Sequence, residues 1–291
     1  MRRSFFLGFL ALATPLCAES SVWKVSRGNS VFYLGGTCHV LRASDYPLPA
    51  EFDLAYAASA RLLFETDVAR VQSAEMQQIV ATEGFFTDGR TLESVVAPAT
   101  WKAVQAYCAA SGFPAAQARQ MKPWLFTVAM MTLELQKQGI AVGGVDLHYF
   151  EKASNAGKKT SGLESFEQHT RFITRLGAGH ENEMVAQSLE EVSEISTALG
   201  EMLAAWKAGD LAKLDEHMVR DLRSKYPSIY RELLADRNRA WLPELEALLK
   251  TPEIEFVLVG VGHMPGADGL LALLRAKGCT VEPLRAPAAK K

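Results

Sequence analysis

Cysteine is scarce in this chain. Four occur in 291 residues, at positions 17, 38, 108 and 279. No Cys-x-x-Cys pair or Cys/His cluster is present, which argues against a structural zinc motif. Cys17 falls in an N-terminal leader, so three remain, and an odd count leaves at least one thiol free. An oxidising compartment would permit one disulfide, but spacing names no pair. The favoured expectation is three small buried hydrophobes. An excess of one charge is also missing. Thirty-one Lys and Arg stand against 33 Asp and Glu, a net charge of −2. The longest basic runs are Lys158-Lys159 and Lys290-Lys291, so nucleic acid is not an expected partner. There is no repeat of fixed period and no low-complexity linker. There is no Gly-x-Ser-x-Gly elbow, no His-Glu-x-x-His helix and no Walker loop. Cys38 and His39 are adjacent, and in an extended chain their side chains point to opposite faces, which weakens a Cys-His nucleophile.

Long apolar runs are lacking as well. The single notable stretch, Phe5 to Leu12, follows Arg2-Arg3 and is broken by Pro15. It is too short to span a bilayer and has the pattern of a secretory signal peptide ending near Ala18. A lipoprotein signal on Cys17 ranks second, because Leu16 is not the small residue such a signal needs. Cleavage would take the net charge from −2 to −4 and leave no membrane span. A periplasmic or secreted protein is expected. The mature domain should cover 19–285, with a helical middle over about 70–250 and a loose tail at 286–291.

What is present reads as strands at both chain ends and helices between. Val22–Val25 and Ser30–Leu34 flank the turn Arg27-Gly28-Asn29, a hairpin signal. Arg61–Glu65 is a short apolar run after an Ala-rich helix from about Glu51. Lys158–Leu163 is another strand candidate. Glu255–Val259 has the apolar, partly β-branched composition of a strand buried on both faces. Thr280–Leu284 closes the set. Ile195, Leu199, Met202, Leu203 and Trp206 line one helix face, which Gly209 ends. Trp101, Val104, Tyr107 and Cys108 line another. Pro123 opens a third helix, to about Lys137, and a last one runs from after Gly266 to Gly278. The expected fold class is α/β: a single domain with a sheet formed from both chain ends and a large helical insertion.

Two of the six histidines share a setting. His39 closes Gly36-Thr37-Cys38-His39 after one strand, and His263 closes Gly260-Val261-Gly262-His263 after another. Ligand sites of α/β sheets gather at the carboxyl ends of strands. Two imidazoles presented there can share a metal ion. Glu65 ends a third strand in the same way, and a carboxylate at that depth needs a metal or a histidine as partner. The alternative is a pair of unrelated structural histidines. Gly177-Ala178-Gly179-His180 shows how readily the pattern recurs. It follows no strand, so His180 is expected on the surface. Asp146 lines the same cleft or caps the helix Leu147 to Ala153. Glu164 follows a strand and could reach the cleft. Arg237 holds a substrate carboxylate or a structural one.

Several of these segments resemble the TraB/GumN/PrgY family, which includes the animal TIKI proteins. The resemblance rests on Leu34-Gly35-Gly36-Thr37-Cys38-His39-Val40, Leu63-Phe64-Glu65, Lys122-Pro123-Trp124 and Gly144-Val145-Asp146. Gly162-Leu163-Glu164-Ser165, Arg237-Asn238 and the stretch Val259 to Leu270 complete it, and it spans nearly all of the mature sequence. It implies an α/β fold similar to those of erythromycin esterases and haem-binding ChaN proteins. It also implies a metal-dependent hydrolase, a metallopeptidase by analogy with TIKI proteins, with His39, His263 and Glu65 at the metal. Manganese or cobalt is implied, and a mixed nitrogen and oxygen donor set also admits zinc. Glu65 would be a ligand or the general base, and a peptide or protein the substrate. The other reading is a non-catalytic protein that binds haem, a peptide signal or a glycan in the same cleft.

Overall fold

The structure is a computed structural model. It describes residues 20–287, apart from the side chains of residues 142 and 193–198. The leader, Cys17 and the last four residues lie outside that range. Eight strands form. They are β1 (Val22–Arg27), β2 (Ser30–Thr37), β3 (Val40–Leu41), β4 (Arg61–Phe64), β5 (Ala141–Val142), β6 (Lys159–Gly162), β7 (Glu255–Gly260) and β8 (Thr280–Pro283). Six of them make one mixed sheet in the order β6-β4-β7-β2-β1-β8. The expected hairpin pairs β1 with β2, Arg27 opposite Ser30. β8 adds antiparallel to β1. β2, β7, β4 and β6 run parallel to one another. The sheet therefore draws on both chain ends, as expected for this α/β single domain.

The parallel arrangement has one consequence for function. Four strands end at the same edge, and those ends carry His39, His263, Glu65 and Glu164. Register fixes how closely. Thr37 pairs with Gly260, Leu63 with Val257, and Phe64 with Gly162. The central strand β7 is buried at all six positions, which suits its continuous apolar run. Burying Phe256, Val257, Leu258 and Val259 contributes about 1.5–3 kcal/mol each before entropy is counted.

Helices occupy the middle of the chain from Val68 to Leu248, interrupted by β5 and β6. β5 pairs with β3 in a small second sheet that the composition did not announce. Phe52 and Tyr149 bring their rings against Phe256, Trp206 packs on Phe52, and all three, from separate helices, join the sheet core. Trp206 also donates its indole N–H to the Gly36 carbonyl at 2.7 Å. That ties the helix Glu181–Ala208 to β2 near the site. A second apolar cluster, including Val104, Trp124, Phe126, Met130 and Leu222, lies within the helical layer. Cys38, Cys108 and Cys279 are buried and unbridged, as favoured. Among the described residues no helix is long and apolar enough to cross a membrane. The tail is anchored at its start, where the Ala286 N–H donates to Glu51.

Candidate functional site

The site begins with the two histidines. His39 lies two residues beyond β2, and its side chain is 56% exposed. Its Nδ1 lies 2.8 Å from Asp146 Oδ2, and Thr37 donates to the other Asp146 oxygen at 3.1 Å. Asp146 sits in the first turn of the helix Gly144–Asn155. Its carboxylate is used on His39 and Thr37, and the cap position itself is Gly143. Fixing Nδ1 in this way turns Nε2 of His39 inward, 3.9 Å from Glu65 Oε1.

His263 ends a single 3-10 turn after β7 and is 2% exposed. Its Nδ1 lies 2.6 Å from Asn238 Oδ1. The Asn238 amide nitrogen donates to the carbonyls of His263 and Asp268, at 3.3 and 2.8 Å. With two carbonyls taking the NH₂ group, the oxygen must face the ring. Nδ1 therefore carries the proton and Nε2 the lone pair, with Arg237 Nη1 3.4 Å from it. The same Nε2 lies 3.7 Å from Glu65 Oε1. Trp241 packs against the ring at 4.6 Å between centroids. Burial pushes the His263 imidazole down to about 3, so it is neutral; Glu65 opposes this, and Arg237 and His39 add to it. His39 behaves in the opposite way. Desolvation resists its charge, but the ring is open on one side. The Asp146 charge and hydrogen bond, followed by the Glu65 charge, lift it to about 9.

Glu65 is the point both rings face. Gly260 donates its N–H to Oε1 at 2.8 Å. A Cβ at Gly260 would stand 3.0 Å from His39 Nε2 and 3.2 Å from Glu65 Oε1, a tight fit that would push on both side chains. Arg237 donates to Oε2 at 2.5 Å. Burial would raise the Glu65 carboxyl. The Arg237 charge, the neighbouring rings and the Gly260 N–H instead hold it well below the usual range. Glu164 follows β6 and is saturated. His169 and Arg237 meet its Oε1 at 2.6 and 2.8 Å. Arg237 Nε and the Trp241 indole N–H meet Oε2 at 3.3 and 3.2 Å. Four donors leave Glu164 as the anchor of Arg237 rather than a free ligand or base.

His39, His263, Glu65, Asp146, Glu164 and Arg237 are thus one connected cluster. His180 lies elsewhere, at the residue before the helix Glu181–Ala208. Three members had no assigned role in the sequence. On the helix Asp236–Leu248, Trp241 lies one turn after both Arg237 and Asn238, at spacings of four and three residues. A π-turn, Arg231–Ala235, leads into that helix, a feature frequent at functional sites. His169 lies five residues after Glu164 and gave no separate signal.

The donor set fits a divalent metal by chemistry once the His39 imidazolium gives up its Nε2 proton: two imidazole Nε2 atoms, each fixed through Nδ1, and one carboxylate oxygen between them. Among the described residues no three such side chains close on one point tightly enough to hold an ion as they stand. Ligands of one metal lie about 3.0–3.5 Å apart, given bonds of about 2.0–2.2 Å. The observed 3.7 and 3.9 Å exceed that by a few tenths of an ångström.

The family model described as TraB/PrgY/gumN matches residues 21–283. No curated protein and no solved structure matches the chain.

Proposed function

The chain belongs to the TraB/PrgY/gumN family, and from that premise we propose that it is an exported, metal-dependent hydrolase acting on peptide bonds. One observation supports this above the rest. Two imidazoles from strands more than two hundred residues apart turn their Nε2 atoms onto one oxygen of Glu65, and each is fixed at Nδ1 by its own acceptor. A non-catalytic haem, peptide or glycan binder has no comparable observation in its favour.

In this reading His39 Nε2, His263 Nε2 and Glu65 hold manganese, cobalt or zinc. When bound, the metal would supply a Lewis acid for the carbonyl and acidify water. The residues themselves divide the remaining work. Arg237 keeps Glu65 ionised, which suits a ligand more than a proton acceptor, because an effective base titrates nearer the working pH. Asp146 holds His39 in place at the open side of the site, where a substrate would arrive. His263 and Trp241 form the closed side.

Dialysis against a strong chelator is expected to abolish hydrolysis of a peptide library, and manganese, cobalt or zinc to restore it. Activity that survives exhaustive chelation would remove the metal from the mechanism. Export carries its own test. N-terminal sequencing of protein from the native host should find a start at or near Glu19. An intact Met1 in a cytoplasmic fraction would overturn export, and a lipid on Cys17 would make it an anchored protein.

A further inference from the structure

Arg237 is held more completely than a structural ion pair requires. Its side chain is 10% exposed. The guanidinium lies 4.5 Å from the Trp241 ring centre and 4.6 Å from that of Phe172. Its donors are divided between two tasks. Nε and Nη2 serve the carboxylates, with Nη2 on Glu65 and both on Glu164. Nη1 lies 3.4 Å from His263 Nε2. The hydrogen bonds of Asn238 leave a lone pair on that nitrogen, so Nη1 donates to it. The same lone pair is the one a metal must take. A metal ligand thus has a resident cation on it, and that cation can release the ligand without losing either carboxylate.

We propose that Arg237 is a built-in competitor for the metal: its Nη1 occupies His263 Nε2, and a divalent ion loads by displacing that contact alone while Nε and Nη2 keep Glu65 and Glu164 in place. This rests on the metal-dependent reading above. Two physical terms set the sign. The ion must break a hydrogen bond to His263, and it must sit beside a fixed positive charge. Removing the guanidinium removes both terms and leaves two carboxylates with less neutralising charge. A residue that merely organised the ligands would have the opposite effect, and its loss would weaken metal binding.

The test is titration of purified chain with manganese chloride by calorimetry, for the wild type, Arg237→Gln and Arg237→Lys. Arg237→Gln should bind at least about tenfold more tightly than wild type. Arg237→Lys, which keeps a charge but loses the fork, should fall between. Equal or weaker binding by Arg237→Gln, with wild type binding, overturns the proposal and leaves the metal reading intact. Absence of binding by all three folded proteins overturns both. Folding of the variants is checked by thermal unfolding. A second measurement needs no variant. In wild-type chain labelled with ¹⁵N-arginine, zinc should shift the Nη1 signal of Arg237 and leave its Nε signal, bonded to Glu164, in place. Zinc binding that moves neither signal, or both together, overturns the proposal.

Discussion

Glu65→Gln is expected to lower kcat/KM on a cleaved peptide by about 10²–10⁴-fold, the range for removing one participating charged or proton-transferring group. The change is nearly isosteric, so the loss would reflect charge. Glu65 Oε1 lies 3.9 and 3.7 Å from the two imidazoles, and among the described residues no other carboxylate is paired with both of them. Asp146 is committed to His39 and Thr37, and Glu164 is saturated by four donors. Neither can replace the lost charge. The fold should survive. The amide oxygen of Gln can still accept from Gly260 or Arg237, and Arg237 keeps its two-pronged grip on Glu164. A stability loss of about 1–3 kcal/mol is expected for one weakened buried charge-assisted contact. Steady-state kinetics beside urea unfolding separates the two effects. Turnover within a few-fold of wild type in a folded Glu65→Gln protein would sink the hydrolase reading. Unchanged affinity for a ligand with no turnover in either protein would favour the binding module.

The strands of the main sheet were legible because each has a local signature, which the two-residue β3 and β5 lack. β7 is an apolar run, and the β1–β2 hairpin has the polar turn Arg27-Gly28-Asn29 between its two segments. The positions of His39, Glu65 and His263 at strand ends followed from the same runs. What local pattern could not convey was that four of the strands are parallel, with their carboxyl ends at one edge. That depends on crossover connections through helices, and only then do the three side chains meet. Asn238 and Trp241 were visible as neighbours of Arg237 on one helix, but their targets lie 25 residues or more away in sequence. His169 was invisible for a simpler reason. A polar histidine in an amphipathic helix looks the same whether it meets water or, as here, a nearly buried carboxylate. Asp146 was open between capping and the cleft. Its contact with His39 depends on how the helix Gly144–Asn155 docks onto the loop after β2.

That docking is the basis of the second large effect, expected for Gly144→Ala. Gly144 has φ of +43°, a left-handed conformation that costs an L-residue about 1–2 kcal/mol. The steric problem is greater. A Cβ there would stand 2.0 Å from the Cys38 carbonyl oxygen and 2.7 Å from the His39 carbonyl carbon. These are backbone atoms and cannot swing aside as a side chain would. The segment must withdraw, and two hydrogen bonds go with it, from Gly143 N–H to His39 O and from Val145 N–H to Cys38 O, at 2.8 and 3.0 Å. Together these terms predict a stability loss of about 2–4 kcal/mol. They also predict loss of the Asp146 hydrogen bond that orients His39, and with it about 10–100-fold in metal affinity or activity. Two controls divide the result. Gly112→Ala places a methyl in another left-handed position, φ +78°, with nothing within 4 Å, and should pay the conformational cost alone. Asp146→Asn should reproduce much of the functional loss at a smaller cost in stability. If Gly144→Ala unfolds in urea no earlier than Gly112→Ala and binds manganese as wild type does, then the contact between this helix and the His39 loop does not position the site, and Asp146 is not what aims His39 at Glu65.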